Sequence, residues 1–196
     1  MKLILFDFDG TITSKDSFIG FIHFYNSNRF KTIFGMISLL PFFILYSIKI
    51  ISREELKEKI LVRFFKNIPK DVFLSSCYTY SEKYLDQIVL PSALKEIKKY
   101  KEKGDVVVIV SASLKYWLEP WCKKYDLDLI ATEMEFINNF FTGKIMNKNC
   151  YGAEKVNKIK EKYPLSKFEK VIAYGNSKGD HEMLNLAQES YYKYFR

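Results

Sequence analysis

Residues 3–13 read LILFDFDGTIT, and the reading of this stretch decides the fold. Leu3 to Phe6 form a short unbroken apolar run, the pattern of a strand buried on both faces of a parallel sheet. Asp7 and Asp9 follow where that run ends. Side chains two apart on a strand point the same way, so both carboxylates face one pocket. Gly10 and Thr11 then let the backbone turn close to a ligand. Crowded carboxylates repel each other unless a cation sits between them, and open α/β sheets bind ligands just outside their strand ends. The pair suits phosphoryl transfer. Asp7 would attack as nucleophile, and Asp9 would protonate the leaving oxygen and then deprotonate the hydrolytic water. A strand end followed by a solvated Asp-Gly turn accounts for the same residues equally well.

Outward from this strand, Ser14 to Arg29 reads as a helix capped by Ser14 or Asp16. Ser52-Arg53-Glu54-Glu55 is a capping-box start for a helix to about Phe65, and Pro69-Lys70-Asp71 opens another to about Ile88. Pro91 starts a helix that stops at Gly104. Asp105 to Ser111 is the strongest strand, with branched apolar residues in a row. A helix over 114–124, a strand over 127–130, and a hairpin of 133–136 with 140–145 across Asn138-Asn139 follow. Then come a helix over 152–163, a strand over 170–174, a short helix over 181–186 and a final edge strand from Glu189. The alternation predicts an α/β fold: a doubly wound parallel, Rossmann-like sheet with a helical cap inserted after the first strand. The core domain comprises 1–13 and 89–196, and the cap 14–88.

Thr32 to Ile48 carries no charge and has Pro41 in its middle, with Arg29, Lys31, Lys49 and Arg53 around it. A spanning helix needs roughly 18 or more apolar residues. Three readings fit: helices packed in the cap, a patch over residues 33–51 dipping into an anionic membrane surface, or a span.

Three further polar groups fall at strand or helix ends. Ser111 and the amide of Ala112 are placed to hold phosphate oxygens, or simply to cap a helix. Lys155 opens a helix, where a solvated lysine is the ordinary explanation. Gly175-Asn176-Ser177-Lys178-Gly179-Asp180 offers hard oxygen ligands for Mg²⁺ from Asn176 and Asp180, or is a plain turn.

Taken in order, these segments resemble a haloacid dehalogenase superfamily phosphatase of the phosphoserine-phosphatase-like branch (subfamily IB), some of whose neighbours are similar to phosphatidylglycerophosphatases. Asp7-Phe8-Asp9-Gly10-Thr11 matches the first motif, Ser111 the second, Lys155 the third and Gly175 to Asp180 the fourth. The resemblance implies a phosphoaspartate on Asp7, acid/base work by Asp9, and Mg²⁺ held by Asp7, the Asp9 backbone carbonyl and Asn176, with Asp180 behind it. It also implies that Gly10, Thr11, Ser111, Ala112 and Lys155 bind the substrate phosphate. Asn176 departs from the family's usual Asp, which leaves open a catalytically impaired phosphate-binding or regulatory module. Substrate contacts from the cap are expected from residues 14–24 and from Arg53 and Arg63.

The chain has 196 residues, 48% hydrophobic and 28% charged, an ordinary globular composition. Its net charge of +8 favours anionic partners, a phosphorylated small molecule or a phospholipid headgroup. With no nucleic-acid motif or concentrated basic helix, no nucleic acid is expected. Three widely spaced cysteines (77, 122 and 150) build neither a zinc site nor a disulfide framework, which points to a reducing cytoplasm, with a peripheral position on the inner membrane surface if the apolar patch meets lipid. Because Asp7 and Asp9 interrupt the first apolar run, no signal peptide is expected. The oligomeric state stays open. His23 and His181 are read as structural or exposed, and Trp117 and Trp121 as one core face.

Overall fold

The computed structural model describes residues 1–26 and 28–195. Its six strands, β1 (Leu3–Phe6), β2 (Val106–Leu114), β3 (Asp128–Ile137), β4 (Phe140–Met146), β5 (Val171–Gly175) and β6 (Glu189–Tyr192), lie in the order β4-β3-β2-β1-β5-β6. All neighbours run parallel except β3 and β4. The α/β, doubly wound reading therefore holds. β1 is central, its four residues fully buried, because a strand covered by helices on both faces must be apolar throughout. The chain moves outward through β2 and β3, then returns to the other side of β1. This reversal places a crevice at the carboxyl ends of the central strands.

Between β1 and β2 lie α1 (Ser17–Tyr25), α2 (Arg29–Ser38), α3 (Leu40–Ser47), α4 (Arg53–Phe65), α5 (Lys70–Tyr80), α6 (Asp86–Ile88) and α7 (Pro91–Glu102). After β2 come α8 (Lys115–Lys124), α9 (Ala153–Lys162) and α10 (His181–Leu186). α1 begins later than the sequence suggests. Asp16 is its cap, accepting from the Ile19 amide at 2.9 Å, while Ser14 is tied to the Ile88 carbonyl. The apolar segment breaks at Leu39, and Pro41 sits in the first turn of α3, where its missing N–H costs nothing. No described helix is long and apolar enough to cross a membrane; α2 and α3 reach that length and composition only as a pair, and they are bent by 43°.

The capping box of Ser52 and Glu55 forms as expected. The helix from Lys70 to Ile88 contains one wide turn at Ser81–Leu85. β2 continues past Ser111 to Leu114 with a shift of register against β3. The two short strands expected near 127–136 are one, because the pairing that begins beside β2 carries straight on into the hairpin with β4. Asn138 and Asn139 both take positive φ, the geometry that a two-residue hairpin turn of this hand demands.

Two apolar clusters cover the sheet. Leu5, Val108, Val110, Ile159 and Met183 belong to one. The other runs from Phe6 and Phe8 through Trp117 into Phe21, Phe65 and Phe73 of the insert without interruption. The β3–β4 hairpin also grips the insert, with Asn67 donating to the Phe141 carbonyl at 2.8 Å and Phe141 donating to Ile68 at 3.0 Å.

Candidate active site

At the carboxyl end of β1, the Asp7 amide still bonds the Tyr174 carbonyl of β5, so its side chain is held at the sheet's edge. Lys155, in the first turn of α9, is 1% exposed. Its three N–H donors reach Asp7 Oδ1, Asp180 Oδ1 and the Val110 carbonyl, each at 2.7 Å. Burial opposes this charge, but the two carboxylates win and hold the lysine pKa above its ordinary value. Asp7 Oδ2 accepts from Thr11 at 2.8 Å. Burial pushes Asp7 up, with Lys155 pulling it back.

Asp180 closes the far side. Its Oδ2 accepts from the amides of Asn176 (3.1 Å) and Ser177 (2.9 Å) and from the Ser177 hydroxyl (2.7 Å). Burial would raise Asp180, but Lys155 and Ser177 keep it below the usual carboxylate range. Gly175 allows this loop to fold so tightly: a Cβ there would stand 2.6 Å from the Asp180 Cβ.

Asp9 is held at both oxygens, by the Ser17 amide at 2.6 Å and by the Ser113 hydroxyl at 2.5 Å. Burial and the nearby Asp16 carboxylate push it up to about 7, against the pull of Ser113 and Ser17. A carboxyl group with that pKa can give and take a proton near neutrality.

These groups share one cavity of about 370 Å³. The insert supplies its other wall through Asp16, Phe18, Tyr46, Arg53, Leu56 and Lys57. Half-buried Lys57 donates to the Ala112 carbonyl and, at 3.1 Å, to Asn149 Oδ1. Burial lowers its pKa to about 8, with Asp9 opposing. The Arg53 guanidinium lies 4.4 Å from the centre of the Tyr151 ring.

The donors here suit a hard divalent cation. Asp7 keeps lone pairs on both carboxylate oxygens, and Asn176 lines the same cavity with a carboxamide. Asp180 is less available, because its Oδ2 already accepts three bonds. No cluster of three or more His, Cys, Asp or Glu is assembled for a metal among the described residues. Asp7, Asp180 and Lys155 together still carry a net negative charge that a cation would neutralise.

Of the residues singled out in the sequence, Asp7, Asp9, Ser111, Ala112, Lys155, Asn176 and Asp180 all meet at this cavity. Gly10 and Thr11 do not line it: the Gly10 amide donates to Thr13 Oγ1 at 3.0 Å, and Thr11 steadies Asp7. Ser111 lies within β2, not at a helix start, and its hydroxyl accepts from the Ser113 amide at 2.9 Å. Arg53 is at the cavity, but Arg63 is not. It bonds Ser38 and borders a separate groove with Phe30, Phe34 and Phe64. Ten residues on a helix turn Arg63 away from Arg53, whereas Lys57, four along, shares its face. That spacing was the available signal for Lys57. For Ser113 it was the two-residue step from Ser111 along a strand. Asn149 and Tyr151, in the loop before α9, carried no such signal.

The chain belongs to the haloacid dehalogenase-like hydrolase family, whose pattern matches residues 4–185. Among its relatives is Protein CicA of Caulobacter vibrioides, 31% identical over 196 residues, a match covering 99% of this chain and 86% of that one. A Bordetella pertussis protein of unknown function has the same fold, with TM-score 0.83 and 18% identity over 96% of this chain and 88% of that one. A substrate-bound phosphoserine phosphatase also shares the fold, with TM-score 0.69 and 17% identity over 98% and 85% of the two chains.

Proposed function

We propose that this chain hydrolyses phosphate monoesters through a phosphoaspartate on Asp7. The observation that carries the reading is the grip on Asp7, one oxygen on Lys155 and the other on Thr11, beside Asp9 and Ser111 in one cavity. An Asp7 carboxylate oxygen forms a bond to phosphorus while the ester P–O bond breaks, and Asp9 gives its proton to the leaving oxygen. Water then attacks phosphorus, Asp9 takes a proton back, and Asp7 and inorganic phosphate are released. The Ser111 hydroxyl and the Lys155 ammonium stabilise phosphoryl oxygens as charge moves. Asp7, the Asp9 backbone carbonyl and Asn176 would hold Mg²⁺, with Asp180 behind them; when bound it neutralises charge and orients the phosphoryl group. Arg53 and Lys57 of the insert, which acts as the cap over the 1–13 and 89–196 core, receive the leaving group.

The substrate class is a phosphorylated metabolite or a lipid phosphate. Turnover of p-nitrophenyl phosphate with Mg²⁺ is expected, and Asp7→Asn should cut it by about a thousandfold or more while leaving the fold intact. An Asp7→Asn protein of undiminished rate removes Asp7 as nucleophile. Asn176 supports a second reading, an impaired site that binds phosphate without turning it over. Asn176→Asp separates the two, since a large gain in rate marks a crippled enzyme and no turnover in either form marks a phosphate-binding module.

A further inference from the structure

α2 is an amphipathic helix turned inside out. Phe30, Ile33, Phe34 and Ile37, at the i, i+3, i+4, i+7 spacing that ordinarily marks a buried face, all point to solvent, with Phe30 73% and Phe34 65% exposed. The buried positions of α2 are the small residues Thr32 and Gly35. The pattern continues in α3, where Leu40 and Ile44 are exposed and every residue is half-buried or exposed, and ends beyond it at Ile50, 65% exposed. Single exposed apolar residues are ordinary, but a contiguous stripe across two helices marks a contact surface.

The charge around this stripe selects its partner. Between Asp16 and Glu54 the sequence has no Asp or Glu, while Arg29, Lys31, Lys49 and Arg53, all exposed, flank the apolar residues along the chain. A second copy docked through the same face by a two-fold axis would bring these cations against one another. An anionic bilayer would receive both the apolar side chains and the cations. The 43° bend suits a pair lying in the interface, since neither short helix reaches across.

We infer that the α2–α3 face docks on an anionic membrane surface. The docked edge adjoins the catalytic cavity, because Tyr46 of α3 and Arg53 just beyond it line that cavity. Docking would therefore set the cavity mouth beside the headgroup layer. The inference stands on exposure and charge, so it survives or fails independently of the phosphatase reading.

Co-sedimentation with vesicles tests it directly. The full chain should bind phosphatidylcholine vesicles containing about a third phosphatidylglycerol at least tenfold more tightly than phosphatidylcholine alone, with weaker binding at high salt. Phe34→Asp with Ile44→Asp should abolish binding, and Lys31→Glu with Lys49→Glu should weaken it tenfold or more, each leaving the circular dichroism melt unchanged. The inference is overturned by absence of sedimentation with the anionic vesicles. Undiminished binding by the Phe34/Ile44 variant overturns it as well, as does a dimer in solution that those substitutions dissociate while vesicles capture nothing.

Discussion

Two lysines line one cavity and live in opposite circumstances. Lys155, from the sheet side, spends its three donors on two carboxylates and a carbonyl and is charged more firmly than a free lysine. Lys57, from the insert, donates to a carbonyl and a carboxamide and lies 5.6 Å from the centre of the Phe18 ring, and its pKa falls to about 8. The sheet half of the site thus holds its lysine firmly charged before any ligand arrives, with two carboxylates on one ammonium and negative charge left over for a metal ion. The insert half holds a cation with no carboxylate among its hydrogen-bond acceptors in the described residues, only Asp9 and Asp16 at longer range, and it is better satisfied when an anion enters. One half is built for the chemistry, which is the same for every monoester; the other is built to receive a particular molecule.

Lys155→Met tests the first half and carries the largest expected effect. It strands two buried carboxylates, so kcat/KM should fall by about a thousandfold or more and stability by about 3–5 kcal/mol, read by urea unfolding. If Lys155→Met unfolds at the same urea concentration as the parent, the ion triad is not a structural keystone and the contrast with Lys57 collapses.

Ser113→Ala tests how the sheet half handles protons. The Ser113 hydroxyl fixes one oxygen of Asp9, the group that protonates the leaving oxygen. Alkyl phosphates need that proton more than aryl phosphates, whose leaving groups depart as stable anions. The substitution should therefore lower kcat about tenfold on an alkyl phosphate and only about twofold on p-nitrophenyl phosphate. Equal losses on both would mean that Ser113 supports the fold of the strand end and not the proton transfer.

The same division explains what was legible in the sequence. Asp7, Asp9, Ser111, Lys155, Asn176 and Asp180 lie in or beside elements whose type is written in apolar runs and caps, so their convergence followed from the sheet's topology. The sequence reading divides β3 into 127–130 and 133–136 and leaves out Ala131 and Thr132, although the Thr132 hydroxyl is buried against the Ala112 carbonyl and Asn149. Lys57 is one of 31 Lys and Arg residues; its four-residue step from Arg53 is the one signal in the sequence, and the packing of α4 over the cavity is what singles it out. The outward turn of α2 is one of the three readings that the sequence leaves open. Helical periodicity shows that an apolar face exists, but not whether the tertiary structure covers it.

Lys57→Met is the gentlest and most discriminating probe of the comparison. Lys57 does not touch the Asp7–Lys155 pair, so kcat should stay within about twofold while KM for an anionic monoester rises about tenfold at pH 7. The sign of its pH dependence is fixed. A lysine whose pKa lies near 8 is charged below that pH and neutral above it, so the parent's KM should climb as pH rises through 8 and approach that of the variant. Lys57→Arg, which stays charged at every pH tested, should flatten that climb. A parent KM that stays level from pH 7 to 9.5 would show that the insert's cation does not contribute to substrate binding. The two lysines would then differ only in their surroundings, not in the division of labour between the two halves of the site.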